Sequence, residues 1–308
     1  MLGPTLLTAS RSPRIRRLVT DAPGSRRLVQ RFVVGETLDH AVDATRRLVG
    51  EGLSVTLDHL GEDTLDTTQA AATRETYVAL LVRLHDLGLT AQTEVSLKLS
   101  ALGQAFPQDG HQIALDNARA ICAAAERAGT TVTLDMEDHT TVDSTLEILG
   151  QLRADFPWTG AVLQSCLRRT EADCRDLAGA GSRVRLVKGA YAEPASVAYP
   201  DKADVDLAYV RCLKILMAGD GYPMVASHDP RMIELAGVLA ERNDRAPGSY
   251  EYQMLHGIRT GEQRRLAADG EHVRVYVPYG ADWYGYFMRR LAERPANVAF
   301  FLRSIFTR

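Results

Sequence analysis

From residue 51 onward the sequence alternates, eight times over, between a short apolar run and a longer segment of helical character. The short runs are rich in β-branched residues and bounded by Gly, Pro or polar residues, which predicts strands. They are LSVTLDHL from Leu53, TEVSLKLSAL from Thr93, TTVTLDMED from Thr130, GAVLQSCL from Gly160, SRVRLVKGAY from Ser182, YPMVASHD from Tyr222, YEYQML from Tyr250 and EHVRVYVPYG from Glu271. Helices are predicted between them, for example over residues 66–87, 111–129, 170–181 and 204–219. Strands alternating with helices make a parallel sheet. Eight units in this length fit a closed (β/α)8 barrel better than an open sheet. The predicted organisation is an N-terminal helical arm over residues 1–50 and a barrel over residues 51–308. No GxGxxG follows any strand, so a Rossmann phosphate loop is not supported.

Composition removes several function classes. The formal net charge is -3, which does not indicate a large basic surface for nucleic acid. No apolar run approaches the roughly 20 residues that cross a bilayer, and no secretory signal is evident at the start. The cysteines Cys122, Cys166, Cys174 and Cys212 form no CxxC pair. They suggest neither a disulfide framework nor a zinc site, and a reducing cytoplasm is the simplest location. The first 31 residues carry seven arginines and one acid, Asp21. The expectation for them is a solvated helical arm packing on the main domain, with contact to anionic lipid as the alternative.

A barrel of this type places its active site at the carboxyl ends of the strands. Those ends carry Asp58, His59, Lys98, Asp135, Glu137, Asp138, His139, Gln164, Arg185, Lys188, His228, Asp229, Tyr252, Gln253 and Tyr276. A polar residue there can simply cap the next helix, as Asp138 and Asp229 are placed to do. Inward cations are harder to dismiss, because burying them without an anionic partner is costly. Three chemistries could use this rim. Asp135, Glu137, His139, His228 and Asp229 are candidates for a divalent metal, although no HxH or HExxH spacing supports one. Lys98 or Lys188 could form a Schiff base. A cofactor enzyme would use the cations for phosphates and a substrate carboxylate, and accounts for most of the rim.

The last unit adds an unusual feature. Arg289 and Arg290 are adjacent on a predicted helix, where neighbours point about 100° apart. One explanation is an ion-paired surface turn with Glu293, which stands at helical spacing from both. The other is two guanidiniums approaching one anion from two sides.

The runs SLKLSALG, LDMED, VRLVKGAY, ASHD, YEYQMLHGIR and VRVYVPYGADWYGYFMRRLAERPAN together resemble the proline dehydrogenase family, in particular its monofunctional bacterial members. The likeness runs in order from about residue 52 to the C-terminus. It implies an FAD enzyme on a distorted (β/α)8 barrel, with the last helix over the barrel mouth. The implied reaction oxidises L-proline to Δ1-pyrroline-5-carboxylate, with a hydride passing from proline C5 to flavin N5 and electrons going on to a membrane quinone. A cytoplasmic protein touching the cytoplasmic face of the membrane peripherally would fit.

The resemblance also implies residue roles. Lys98, Arg289 and Arg290 would bind the proline carboxylate. Tyr276 would pack against the ring carbon that hydroxyproline substitutes. Asp135 would be an active-site acid holding Lys98, and Arg185 would lie by flavin N5. Met136, Gln164, Arg185, Lys188, Gly189, Ala190, Ser227 and His228 would hold FAD, with Tyr191 and Glu293 completing the pocket and no metal involved. Two positions depart from the family's pattern. Ser227 stands where threonine is frequent, which keeps the hydroxyl. Ala192 stands where an aromatic often follows the tyrosine, which removes a flavin contact.

Overall fold

The computed structural model describes residues 29–61 and 64–292, with the side chains of 291 and 292 excepted. Helix α1 (Leu38–Gly50) precedes β1 (Ser54–His59). There follow α2 (Thr67–Asp86), β2 (Thr93–Leu97), α3 (Gly110–Ala128), β3 (Thr131–Leu134), α4 (Val142–Asp155), β4 (Gly160–Gln164) and α5 (Thr170–Asp176). The remainder is β5 (Arg183–Val187), α6 (Lys202–Ala218), β6 (Tyr222–Ala226), α7 (Pro230–Arg242), β7 (Glu251–Leu255), α8 (Thr260–Ala268), β8 (Val273–Tyr279) and α9 (Trp283–Ala292). The eight strands are parallel and close on themselves in sequence order, β8 pairing with β1 from Ser54 opposite Arg274 to His59 opposite Tyr279.

Local chemistry sets the element boundaries. Asp66 caps α2 by accepting from the Gln69 amide at 2.9 Å, and Asp229 caps α7, whose first residue is Pro230. Gly129, at φ +75, ends α3. The helix after β4 stops at Asp176 instead of reaching residue 181, where Gly179 and Gly181 form a turn and Gly181 takes φ +77. The strands are also shorter than predicted, and in all but β7 the last predicted residues form the loops at the mouth.

Period-two alternation sorts the strand residues. Val55, Leu57, Val95, Leu97, Val132, Leu134, Val184, Leu186, Val273, Val275 and Val277 join the helices in the main apolar core. Their neighbours in the strands face the lumen, and many are charged or polar: Glu94, Ser96, Arg183, Arg185, Glu251, Gln253, Arg274 and Tyr276. The core of this barrel is thus a ring between sheet and helices, and the lumen holds an ionic network.

The wall is closed in an unusual order. The buried residues Ala41, Ala44 and Leu48 of α1 belong to the same core as the barrel, and α1 packs on β1 and β8. It covers the outer face that a helix after β8 would fill in a regular barrel. Helix α1 thus shares one apolar core with the barrel. Residues 1–28 of the predicted arm lie outside the described residues. Helix α9 is not in that wall. Trp283, Tyr284, Tyr286, Phe287 and Met288 form a separate apolar cluster with Val29, Phe32, Val33 and Leu60. The N-terminal segment meets α9 in that cluster and is tied to the end of β8: Val34 donates to Pro278 O at 3.2 Å and Gly280 to Gly35 O at 2.9 Å. Gly257, at φ +72, lets it pass; a Cβ there would stand 1.8 Å from Arg31 O.

Candidate active site

One cavity of about 870 Å3 opens at the carboxyl ends of the strands. It is lined by Lys98, Asp135, Met136, Gln164, Arg185, Lys188, Gly189, Ala190, Tyr191, Ser227, His228, Tyr276, Arg289 and Arg290. Every described residue to which the family resemblance gives a role therefore lines it. Glu293 lies outside the described residues. Arg289 and Arg290 reach the cavity from α9, and the Arg290 guanidinium lies 5.2 Å from the Tyr286 ring centre.

At one end Lys98 is buried among acids. Its Nζ is 2.7 Å from Asp58 Oδ2 and 3.9 Å from Asp135 Oδ2. The sequence reading paired Lys98 with Asp135, but Asp58 is the nearer acid. It is 1% exposed, and its Oδ1 has no hydrogen-bond partner among the described residues. Asp135 is engaged instead by Tyr276, whose hydroxyl donates to Oδ2 at 2.6 Å, and by Ser96 and Arg185, which donate to Oδ1 at 2.8 Å each. Burial, then the anions Asp135 and Asp58, push the Tyr276 phenol well above its ordinary value, so it stays a donor.

Arg185 and Tyr276 were expected at strand ends but sit inside β5 and β8, below the mouth, because the inward face of a strand returns every second residue. Arg185 is 3% exposed and held on three edges: Nε by Gln253, Nη1 by Asp135 and Ser96, Nη2 by Glu94. Burial alone would lower its affinity for the proton, and Asp135 and Glu94 more than reverse that.

The other end is built around β4, β5 and β6. Lys188 is ion-paired with Asp206 and, at 3.0 Å, with Asp229. Arg231 and then Lys188 hold the Asp229 carboxyl below its ordinary range, against burial. Asp229 thus caps a helix, as anticipated, and also orders a cavity cation. Gly189, at φ +106, must be glycine, since a Cβ would meet Cys166 Sγ at 2.3 Å. Gln164 Nε2 donates to Glu137 O at 2.7 Å, and His228 Nε2 accepts from the Leu255 amide at 2.9 Å.

Other rim residues turn away. His59 packs against the Tyr279 ring at 5.2 Å, and the Tyr252 hydroxyl bonds Ile233 O at 3.4 Å. Glu137 accepts from Ser100, His139 pairs with Glu193, and Asp138 takes the Thr140 amide. Among the described residues no three potential ligands converge on a metal position. The sequence reading passed over Cys166, Tyr199, Lys202, Arg259 and Tyr286, which also line the cavity, and Glu94, Arg183, Glu251 and Arg274 beneath it. Polar residues at every second position of otherwise apolar strands were the available signal for the latter group.

The family model described as Proline dehydrogenase matches residues 41–303. The chain is 40% identical over 302 residues to proline dehydrogenase of Deinococcus radiodurans, spanning 97% of this chain and 96% of that protein. It is 39% identical over 284 residues to proline dehydrogenase 1 of Bacillus subtilis, spanning 92% of each. Among solved structures it matches proline utilization A from Bdellovibrio bacteriovorus inactivated by N-propargylglycine, with a TM-score of 0.81 and 26% identity. That match covers 92% of this chain and 34% of the other, so the chain spans about a third of that longer protein.

Proposed function

Because the chain belongs to the proline dehydrogenase family, a family of oxidoreductases that oxidise proline, we propose how its cavity does so: L-proline is converted to Δ1-pyrroline-5-carboxylate with FAD bound alongside. The observation that carries this reading is one cavity lined by the cations Lys98, Arg289 and Arg290, with Asp58 and Asp135 beside Lys98, and with room for a second, larger molecule. Proline has about eight heavy atoms. Even at the ~30 Å3 that a water takes in the liquid, it fills on the order of 240 Å3, well under half of the 870 Å3.

The residues around the remaining volume suit a flavin with its phosphates. Lys188, Lys202 and Arg259 line the cavity as cations, and the backbone at Gly189, φ +106, and Ala190 also borders it. In this proposal Met136, Gln164, Arg185, Lys188, Gly189, Ala190, Ser227 and His228 hold FAD. Bound there, the flavin supplies the hydride acceptor for proline C5.

The chain's own residues do the rest. Lys98, Arg289 and Arg290 grip the carboxylate and fix the ring for transfer. Arg289 and Arg290 disfavour the ammonium form of the substrate nitrogen, whose lone pair must be free, while Asp58 and Asp135 offset the charge of Lys98. Asp135 orients Tyr276 against the ring, α9 covers the bound molecules, and Tyr191 and Glu293 complete the enclosure. Arg185 stabilises negative charge that builds at the acceptor. The onward acceptor in this reading is a membrane quinone, met at the cytoplasmic face of the membrane by a peripheral contact. Among the described residues no helix is long and apolar enough to cross a membrane.

A Schiff-base lysine must present a free amine, whereas Lys98 and Lys188 are both engaged by carboxylates. That favours the flavin reading over a lyase. The test is direct. The purified protein is expected to be yellow, to bleach anaerobically on adding L-proline, and to release a product two hydrogens lighter. Colour without bleaching would indicate a binding module, and borohydride trapping of a lysine adduct a lyase. A colourless protein that added FAD does not activate would remove the reading.

A further inference from the structure

We propose that Glu94, which does not reach the cavity, sets how strongly the charge of Arg185 is felt inside it. The inference rests on the reading of the cavity as a flavin site. Arg185 and Asp135 line the cavity. Glu94 is fully buried on β2 and meets Arg185 of β5 across the lumen, its Oε1 accepting from Nη2 at 2.9 Å. Thr56 donates to the same oxygen at 2.7 Å, and Arg183 Nη2 lies 3.0 Å from Oε2. Arg183 and Arg185 are two apart on one strand and so share its inward face. Arg274 Nε lies 4.0 Å from Glu94 Oε1, so one carboxylate is shared among three guanidiniums.

Burial alone would push Glu94 towards its protonated form. Arg274, Arg183 and Arg185 outweigh that and bring it down to about 2, so it is a fixed anion at working pH. A point on the cavity side of Arg185 feels the guanidinium reduced by the anion behind it, and in a buried setting this difference is not screened away. Arg183 in turn competes for Glu94 and limits how much of it acts on Arg185. Glu94 is therefore a positioning residue: it holds Arg185 in place and tempers its field. Reduced flavin carries more negative charge than oxidised flavin, so the tempered field tunes its reduction potential.

The experiment is a redox titration of the flavin in the full-length holoprotein. Glu94→Gln keeps an oxygen for Arg185 and Thr56 but removes the charge, and should shift the midpoint potential upward. Arg183→Gln leaves Glu94 less compensated and should shift it downward. A purely structural role would let Arg185 drift in both variants and shift both the same way. A fall in Glu94→Gln, a rise in Arg183→Gln, or no shift in either overturns the inference. If Glu94→Gln does not fold, the sign in Arg183→Gln decides. A wild-type protein that takes up no flavin overturns the cavity reading and the inference together. A wild-type flavoprotein with both variants unmoved overturns the inference alone.

Discussion

Asp58 and Lys98 show how much a single contact decides. Lys98 stands out in the sequence as a cation at a strand end, and Arg289 and Arg290 as an adjacent pair that either an ion-paired surface turn or an anion clamp would explain. All three line one cavity. Which acid holds Lys98 was not legible, because Asp58 and Asp135 stand at equivalent strand ends and differ only in reach. Asp58, at 2.7 Å and 1% exposed, forms the tighter pair. Breaking a buried pair costs about 3–5 kcal/mol, so Asp58→Asn, which keeps one hydrogen bond, should lose about 3 kcal/mol of unfolding free energy in a denaturant titration. It should also raise KM for proline, on the order of tenfold for each 1.4 kcal/mol of lost carboxylate binding. If stability falls and KM does not move, Asp58 does not position Lys98 for the carboxylate.

At the scale of elements, α9 and α1 have exchanged the usual arrangement. A helix following the eighth strand reads alike in sequence whether it joins the wall or crosses the mouth, since both need one apolar face. What places α9 is its partner, the segment around Phe32, some 250 residues earlier in the chain. The Phe32 and Phe287 rings lie 6.3 Å apart, and Trp283 is 6.0 Å from Phe287. Removing a buried phenylalanine costs about 3–5 kcal/mol, and here that loss falls on the seat of the helix carrying both arginines. Phe32→Ala should therefore raise KM for proline while leaving kcat within about twofold, the pattern of lost uniform binding. Steady-state kinetics on L-proline checks this. An unchanged KM would show that α9 keeps its place without that seat.

The whole molecule is a barrel whose lumen is ionic, which ties its stability to pH. His256 is pushed down to about 4, first by burial and then by Arg47. Below its ordinary 6.5 the unfolded chain takes up a proton that the folded chain refuses, so stability falls from pH 6.5 to about 4 by about 3 kcal/mol. Glu94, depressed to about 2, contributes stability that is complete above its ordinary 4.5 and lost between 4.5 and 2. The thermal midpoint should thus be level above about pH 6.5 with respect to these groups and decline continuously on acidification. His256→Gln should make only the limb between 6.5 and 4 shallower, since His59 and His272, also held below the ordinary histidine value by burial, keep part of it. A midpoint in that variant still falling as steeply there would assign the acid loss elsewhere. The sequence by itself determined the number, order and direction of the strand-helix units and most of the residues that meet at the mouth. These follow from periodicity, turn residues and the geometry of a closed parallel sheet. Only the tertiary structure decided which charges pair in the lumen. Glu94 and Arg185 stand 91 residues apart, and closure of the barrel, which no local pattern records, brings them within hydrogen-bond distance.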